Sequence, residues 1–122
     1  MKTAMVVDDS KIVRNVTKKI LEALGYASIS EAENGRIAVD VFKQHTPSLI
    51  MLDWHMPEMD GLAFLKILRA LPGVPQPTVI FCTTETNLAH IQEAITCGAN
   101  EYVMKPFDEE IIRGKLEQLG LL

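Results

Sequence analysis

The sequence predicts one α/β domain, a doubly wound parallel sheet of five strands covered by five helices. Two observations carry that expectation. Short apolar or alternating runs take turns with amphipathic segments of helical period along the whole chain. The middle run, Leu49–Leu52, is apolar at every position, as in a strand covered on both faces rather than wetted on one. A length of 122 residues suits a single domain that buries its own core without disulfides or metal staples.

The elements follow in order. TAMVV (residues 3–7) is the first strand. The helix after it places Ile12, Val13, Val16, Ile20, Leu21 and Leu24 on one face, expected to be core, with Lys18, Lys19 and Glu22 largely off it. Gly25 then supplies a C-terminal stop. ASIS (27–30) is the second strand, and the next helix buries Ile37, Ala38, Val41 and Phe42 before Pro47 closes its exit. SLIML (48–52) is the third strand. A helix from about Gly61 to Leu71 follows, with Asp60 as its N-cap and the breaker-rich PGVPQP after it. PTVIFC (77–82) leads to a fourth helix built on Leu88, Ile91 and Ile95 and stopped at Gly98. EYVM (101–104) is the last strand. The fifth helix opens on acids, which suit a helix N-terminus, and buries Ile112, Leu116 and Leu119. Gly114 inside it costs about 1 kcal/mol against alanine, which close packing or a partner's approach would explain.

Composition excludes several classes. A net charge of −4 argues against nucleic acid, whose phosphates call for clustered Lys and Arg. No apolar run approaches the ~18 residues of a membrane span, and MKTAMVVDDS turns acidic too soon for a signal peptide. Cys82 and Cys97 have neither metal-site nor redox-motif spacing, so both are expected as buried free thiols of a reducing, cytoplasmic compartment. No repeat or linker interrupts the chain, and Leu122 comes directly after the last helix. The expectation is one domain over 1–122.

In parallel sheets of this kind ligands gather beyond the carboxyl ends of the strands. Asp8 and Asp9 follow the first strand, Asp53 the third, Thr83 and Thr84 the fourth, and Lys105 with Pro106 the fifth. Only the second exit, EAENG, lacks a reactive cluster, as an edge strand away from the site would. Two carboxylates ~4 Å apart repel by ~4 kcal/mol at an effective dielectric of about 20. One lysine does not neutralise three acids, so a hard divalent cation is expected, and Mg²⁺ fits best because it accepts carboxylates and keeps waters a phosphate can replace. A carboxylate beside such an ion, with a lysine and a hydroxyl in reach, is equipped to attack a phosphoryl group.

VVDDS, LIMLDWHMPEMDGL, VIFCTTE and YVMKPF, in that order and spacing, resemble the receiver domain of two-component response regulators, and the likeness covers essentially the whole chain. It looks most like the CheY-like type made of a receiver alone, with no output domain. The resemblance implies the flavodoxin-like strand order 2-1-3-4-5. It implies that Asp53 accepts phosphate from a sensor histidine kinase or histidine phosphotransfer protein. Asp8 and Asp9 would hold Mg²⁺, with Asp53 and the backbone carbonyl of His55 completing the protein ligands. Thr83 would be the switch hydroxyl, Lys105 would pair with the phosphoryl group across a cis bond to Pro106, and Tyr102 would change rotamer with Thr83. The protein would then be a monomeric phosphorylation switch rather than an enzyme acting on other molecules. Its fourth helix, fifth strand and fifth helix would form the face that binds a downstream protein such as a flagellar motor switch component.

Each residue read alone has a plainer role. Asp9 or Ser10 would cap the first helix, Asp53 would be a turn residue before Pro57, Thr84 would serve as the switch in place of Thr83, and Tyr102 would pack in the core. His55 and Glu85 stand where the family varies and tunes phosphate lifetime, though His55 reads equally as an inert rim residue. His45 and His90 read as solvent-facing. Two other functions share the pattern: a phosphate sink or relay intermediate, and an aspartate-nucleophile phosphatase. The phosphatase would want a second acid where His55 stands. A flavin module would want a Ser/Thr/Gly-rich loop where DDSK stands.

Overall fold

The structure is a computed structural model describing residues 2–84 and 86–122. The chain alternates strictly: β1 (Thr3–Val7), α1 (Lys11–Ala23), β2 (Ser28–Ala32), α2 (Gly35–His45), β3 (Leu49–Leu52), α3 (Gly61–Ala70), β4 (Thr78–Thr83), α4 (Leu88–Thr96), β5 (Glu101–Met104) and α5 (Glu109–Gln118). All pairings are parallel, in the order β2-β1-β3-β4-β5. The expected class and order are both observed. β2 lies at one edge and runs further toward the rim than ASIS, because Ser28 to Ala32 pair with Thr3 to Val7 along their full length.

The period-2 alternation of the strands divides the core in two. Met5, Val7, Ile50, Leu52, Val79 and Phe81 pack against Ala38 and Phe42 of α2, Phe64, Leu65 and Leu68 of α3, and Ala94 of α4. Ala4, Val6, Leu49, Met51, Ile80, Cys82 and Val103 pack against Ile20 and Leu21 of α1 and Ile112 and Leu116 of α5. Every helix opens on a side-chain cap: Ser10, Asn34, Asp60, Asn87 and Asp108 each accept a hydrogen bond from a backbone N–H of the first turn. Ser10, not Asp9, therefore caps α1. Gly25 and Gly98 stop α1 and α4 at φ +99° and +114°, in the left-handed region.

Several residues expected in the core lie outside it. Ile12 and Val16 of α1 are 76% and 49% exposed. The buried line of that helix runs through Thr17, Ile20 and Leu21, and Thr17 satisfies its hydroxyl by donating to the Val13 carbonyl at 2.8 Å. Ile12 and Val16 instead border a groove beside the β5–α5 loop. On α4, Leu88 and Ile95 are exposed while Ile91 and Ala94 are buried, Ala94 within the core. Ile37 of α2 is also exposed, and Val41 and Leu119 are half-buried. Cys82 is buried, but Cys97 is only half-buried because it caps the C-terminus of α4. No helix among the described residues is long and apolar enough to cross a membrane.

Two glycines have opposite roles. A Cβ on Gly61 would run into the Asp53 carbonyl and approach Phe81 Cε1 to 2.9 Å, whereas one on Gly114 would meet nothing within 4 Å. Close packing does not explain Gly114. Gly61→Ala is therefore expected to destabilise the fold by about 2 kcal/mol or more through forced backbone movement. Gly114→Ala should stabilise it by about 0.5–1 kcal/mol through helix propensity. Urea unfolding of both variants tests this, and a destabilised Gly114→Ala would show that the open space is illusory.

Candidate functional site

Register builds the site. Val7 pairs with Leu52, so the next residues, Asp8 and Asp53, leave adjacent strand ends together, and the Asp53 amide donates to the Val7 carbonyl at 2.9 Å. Lys105 reaches the same place from β5, its amide donating to the Thr83 carbonyl at 3.0 Å. Asp8, Asp53 and Lys105 continue the alternation of Val6, Met51 and Val103, which face α1 and α5. Thr83 continues the opposite face, that of Phe81, against which Tyr102 also packs. The Lys105–Pro106 peptide bond is cis.

Charge is concentrated and half-compensated there. Lys105 Nζ lies 2.6 Å from Asp8 Oδ2 and 3.3 Å from Asp53 Oδ1. Asp8 and Asp53 are 3% and 7% exposed, so water screens little of their mutual repulsion. Asp9 is exposed, yet offers a carboxylate oxygen within 4.8 Å of one from Asp8 and one from Asp53. Burial, and then the charge of Asp8, push the Asp53 carboxyl above the ordinary aspartate range, against the smaller opposing pull of Lys105 and the Trp54 amide. Burial alone would depress Lys105. The hydrogen bond to Asp8 and the charges of Asp53 and Asp8 outweigh it and hold the ammonium above its usual value. The donor set is three hard oxygen groups with one internal cation, a fit for a hard divalent metal ion.

The remaining predicted residues are placed as follows. Thr83 is buried at the end of β4, and Thr84 is exposed in the groove with Ile12, Val16, Pro106 and Phe107. Tyr102 is half-buried. His55 is exposed at the rim, with its ring centroid 6.3 Å from that of Trp54. His90, expected to face solvent alone, also borders Trp54, at 5.9 Å between centroids. Glu85 lies outside the described residues.

Three participants were missed from sequence. Asn34 is buried, caps α2, and donates through Nδ2 to Glu58 Oε2 at 2.9 Å, while the Gly35 amide donates to the Met59 carbonyl at 3.0 Å. Together they clasp the loop after Asp53, in which Glu58 holds a left-handed φ of +64°. Arg14 reaches the Asp8 carbonyl from α1. EAENG contained the signal for Asn34 as an N-cap; long-range partners of Arg14 and Glu58 leave no local pattern.

The raised Asp53 carboxyl yields a stability test. Its folded state holds the proton more tightly than the unfolded state does. Its contribution is therefore fully present below the ordinary aspartate pKa and is lost as pH rises through the raised folded one. Metal-free Asp53→Asn should exceed the wild type at about pH 7 by about 1 kcal/mol, the common scale of a single substitution. That gap should narrow as pH falls toward about 4, the ordinary aspartate value. Urea unfolding in chelator at the two pH values measures it; an Asn variant no more stable at neutral pH would mean that Lys105 already compensates the charge.

The family model of the response regulator receiver domain matches residues 4–117. A chemotaxis protein CheY homolog of Campylobacter jejuni is 37% identical over 116 residues, covering 94% of this chain and 89% of that protein. Chemotaxis protein CheY of Bacillus subtilis is 36% identical over 106 residues, covering 87% of each chain. The solved structure of Vibrio cholerae chemotaxis protein CheY4 superposes with a TM-score of 0.88 at 30% identity, covering 97% of this chain and 98% of that one.

Proposed function

This chain belongs to the response regulator receiver family, in its CheY-like form, and on that premise we propose that it is a chemotaxis-type signalling switch thrown by phosphorylation of Asp53. One observation carries the reading: a buried carboxylate with a raised pKa shares a strand-end rim with two further acids and a single lysine. Mg²⁺, held by Asp8, Asp9, Asp53 and the main-chain carbonyl of His55, would supply the charge neutralisation that a transferring phosphoryl group needs.

The chain's own residues do the rest. The contacts of the Asp53 carboxylate with described residues fall on Oδ1, which accepts from the Trp54 amide at 2.8 Å and faces Lys105. Oδ2 is then the attacking oxygen. It forms the bond to phosphorus as the bond from phosphorus to the donor's imidazole nitrogen breaks, and the departing imidazole takes a proton from solvent. Lys105 is placed to turn from Asp8 toward a phosphoryl oxygen. Later attack of water on phosphorus releases inorganic phosphate and restores the carboxylate, so the only reaction catalysed is on the protein itself.

The partners follow from exposed apolar surface. Ile12, Val16, Pro106 and Phe107 line a groove of about 280 Å³ that ends at Lys105, continuous with the rim where the donor's phosphohistidine must arrive. A histidine kinase or phosphotransfer protein docking there presents its imidazole to Asp53. On the side of α4, β5 and α5, Leu88, Ile95, Met104 and Ile111 are between 41% and 67% exposed, an apolar surface suited to a downstream target such as a flagellar motor switch component.

Acetyl phosphate in Mg²⁺ should add one phosphoryl group, and peptide mapping after borohydride reduction should find it at Asp53. Asp9→Ala should slow that reaction by on the order of a hundredfold, within the usual reach of electrostatic stabilisation. Ile12→Ser should slow transfer from a phosphohistidine donor while leaving acetyl phosphate unaffected. Label persisting in Asp53→Asn at the wild-type level would assign the chemistry elsewhere.

Thr83, unlike Thr84, is buried on the face it shares with Tyr102 and Met104. A charge-assisted hydrogen bond from its hydroxyl to the phosphoryl group is worth about 1.5–3 kcal/mol. Thr83→Ala should therefore accept phosphate normally yet lose roughly ten- to hundredfold of the gain in target affinity on activation, and Thr84→Ala should keep most of it. The target's dissociation constant, with and without beryllofluoride as a stand-in for the phosphoryl group, decides between the two threonines.

A further inference from the structure

Asp8 is the most deeply buried of the three acids and is tied at four points. Its amide donates to the Ala32 carbonyl at 3.1 Å; its Oδ1 accepts from the Ser10 amide at 2.9 Å and its Oδ2 from Lys105 at 2.6 Å. The fourth tie comes from α1, where Arg14 Nη1 donates to the Asp8 main-chain carbonyl at 2.7 Å. The same guanidinium gives Nε to Glu31 Oε1 at 3.1 Å, and Lys18 holds the other Glu31 oxygen at 2.9 Å. Arg14 is only 13% exposed, so its side chain is packed as well as paired. Glu31 stands on β2, the edge strand that contributes no residue to the rim directly.

The bonded carbonyl matters because of what shares its plane. The Asp8 C=O and the Asp9 N–H belong to one rigid peptide unit, so the donor that orients it sets the direction of the chain at both acids. A neutral donor would satisfy that carbonyl. A guanidinium braced on two sides does more, because its fork cannot rotate without breaking the ion pair with Glu31. We propose that Arg14, braced by Glu31, is a positioning residue for the cation site, holding the Asp8–Asp9 peptide so that both carboxylates converge with Asp53. The inference rests on the reading of the rim as a Mg²⁺ site and adds to it an outer support reaching to β2.

Charge and geometry make opposite forecasts, which gives the test its sign. By Coulomb's law alone, a positive group beside the acids opposes a second cation, so removing it should tighten Mg²⁺ binding. If Arg14 positions the acids, removing it should weaken binding, and lysine, which keeps the charge but loses the fork, should not rescue. Arg14→Met and Arg14→Lys are titrated with Mg²⁺ through the fluorescence of Trp54, which is buried next to Asp53. Both are expected to raise the dissociation constant on the order of tenfold, the common cost of losing an outer-shell partner. In the metal-free protein, hydrogen exchange at the Ser10 amide, which reports the Asp8 carboxylate directly, should quicken in both variants while the Met51 amide in β3 stays protected. Tighter binding in Arg14→Met, or wild-type binding in Arg14→Lys, overturns the proposal; should Arg14→Met fail to fold, Arg14→Lys decides alone. A wild-type protein with no response to Mg²⁺ would remove the metal reading instead, and unchanged Ser10 exchange would then refute the positioning role by itself.

Discussion

Among the described residues, the carboxylates of Asp8, Asp9 and Asp53 share the carboxyl-terminal rim of the sheet with the ammonium of Lys105, and the rest of the molecule is arranged around that imbalance. Lys105 satisfies Asp8 at 2.6 Å and reaches Asp53 less closely, at 3.3 Å, so Asp53 is the less compensated of the two buried acids. Burial, and then the charge of Asp8, raise its proton affinity despite that lysine. A protein selected for stability alone would fill such a place with apolar side chains, since buried ion pairs seldom repay their desolvation. In the proposed switch the uncompensated charge would make the site responsive, because an added cation or phosphoryl group would change the balance more than it could on a neutral rim.

The two ends of the sheet are held in different ways. At the end opposite the acids, Arg69 of α3 donates to the carbonyls of Gly98 and Pro77 and to the side chains of Gln76 and Asn100, pinning α3 to the segments that enter β4 and β5. The Asn100 carboxamide oxygen also accepts from the Val79 amide at 2.8 Å. At the rim, the loop after Asp53 is held by the Asn34–Glu58 clasp and by the Gly61 amide, which donates to the Trp54 carbonyl at 2.8 Å. The apolar surface left uncovered lies mainly on α1, α4, β5 and α5, the elements whose loops border the rim. Exposed apolar residues there are the counterpart of a sheet closed elsewhere.

Much of this was legible because parallel sheets write themselves plainly. Continuous apolar runs marked the strands, and the residues just past them could lie only on one rim, so Asp8, Asp9, Asp53, Thr83 and Lys105 could be placed together before any coordinate. Burial of the helices was less legible. The periodicity of α1 correctly marked Ile20 and Leu21, but hydropathy cannot distinguish a residue that packs on the sheet from one, such as Ile12 or Val16, that overhangs its edge beside a groove. The same ambiguity misplaced Leu88 and Ile95. Arg14 escaped notice for a different reason: its acceptor is a main-chain carbonyl and its brace sits 17 residues away, neither of which leaves a local pattern.

The alternation of the strands also limits how a signal could leave the site. Asp8, Asp53 and Lys105 continue the face of the sheet toward α1 and α5, while Thr83 and Tyr102 belong to the face toward α2, α3 and α4. A phosphoryl group on Asp53 would stand at the rim where the two faces meet, within the compass of both. In the proposed switch, only the Thr83 side responds by packing, since Tyr102 is half-buried and can move inward, whereas Cys82 and Val103 beneath Lys105 are already buried. A two-state element shifts only by the difference in interaction energy between its states. The buried row under Lys105 offers no such difference, and the half-buried ring on β5 does. In that switch the consequence of a charge change at Asp53 would pass toward α4 and β5, away from the α1 groove where the donor would dock, so that receiving phosphate and reporting it would occupy different surfaces.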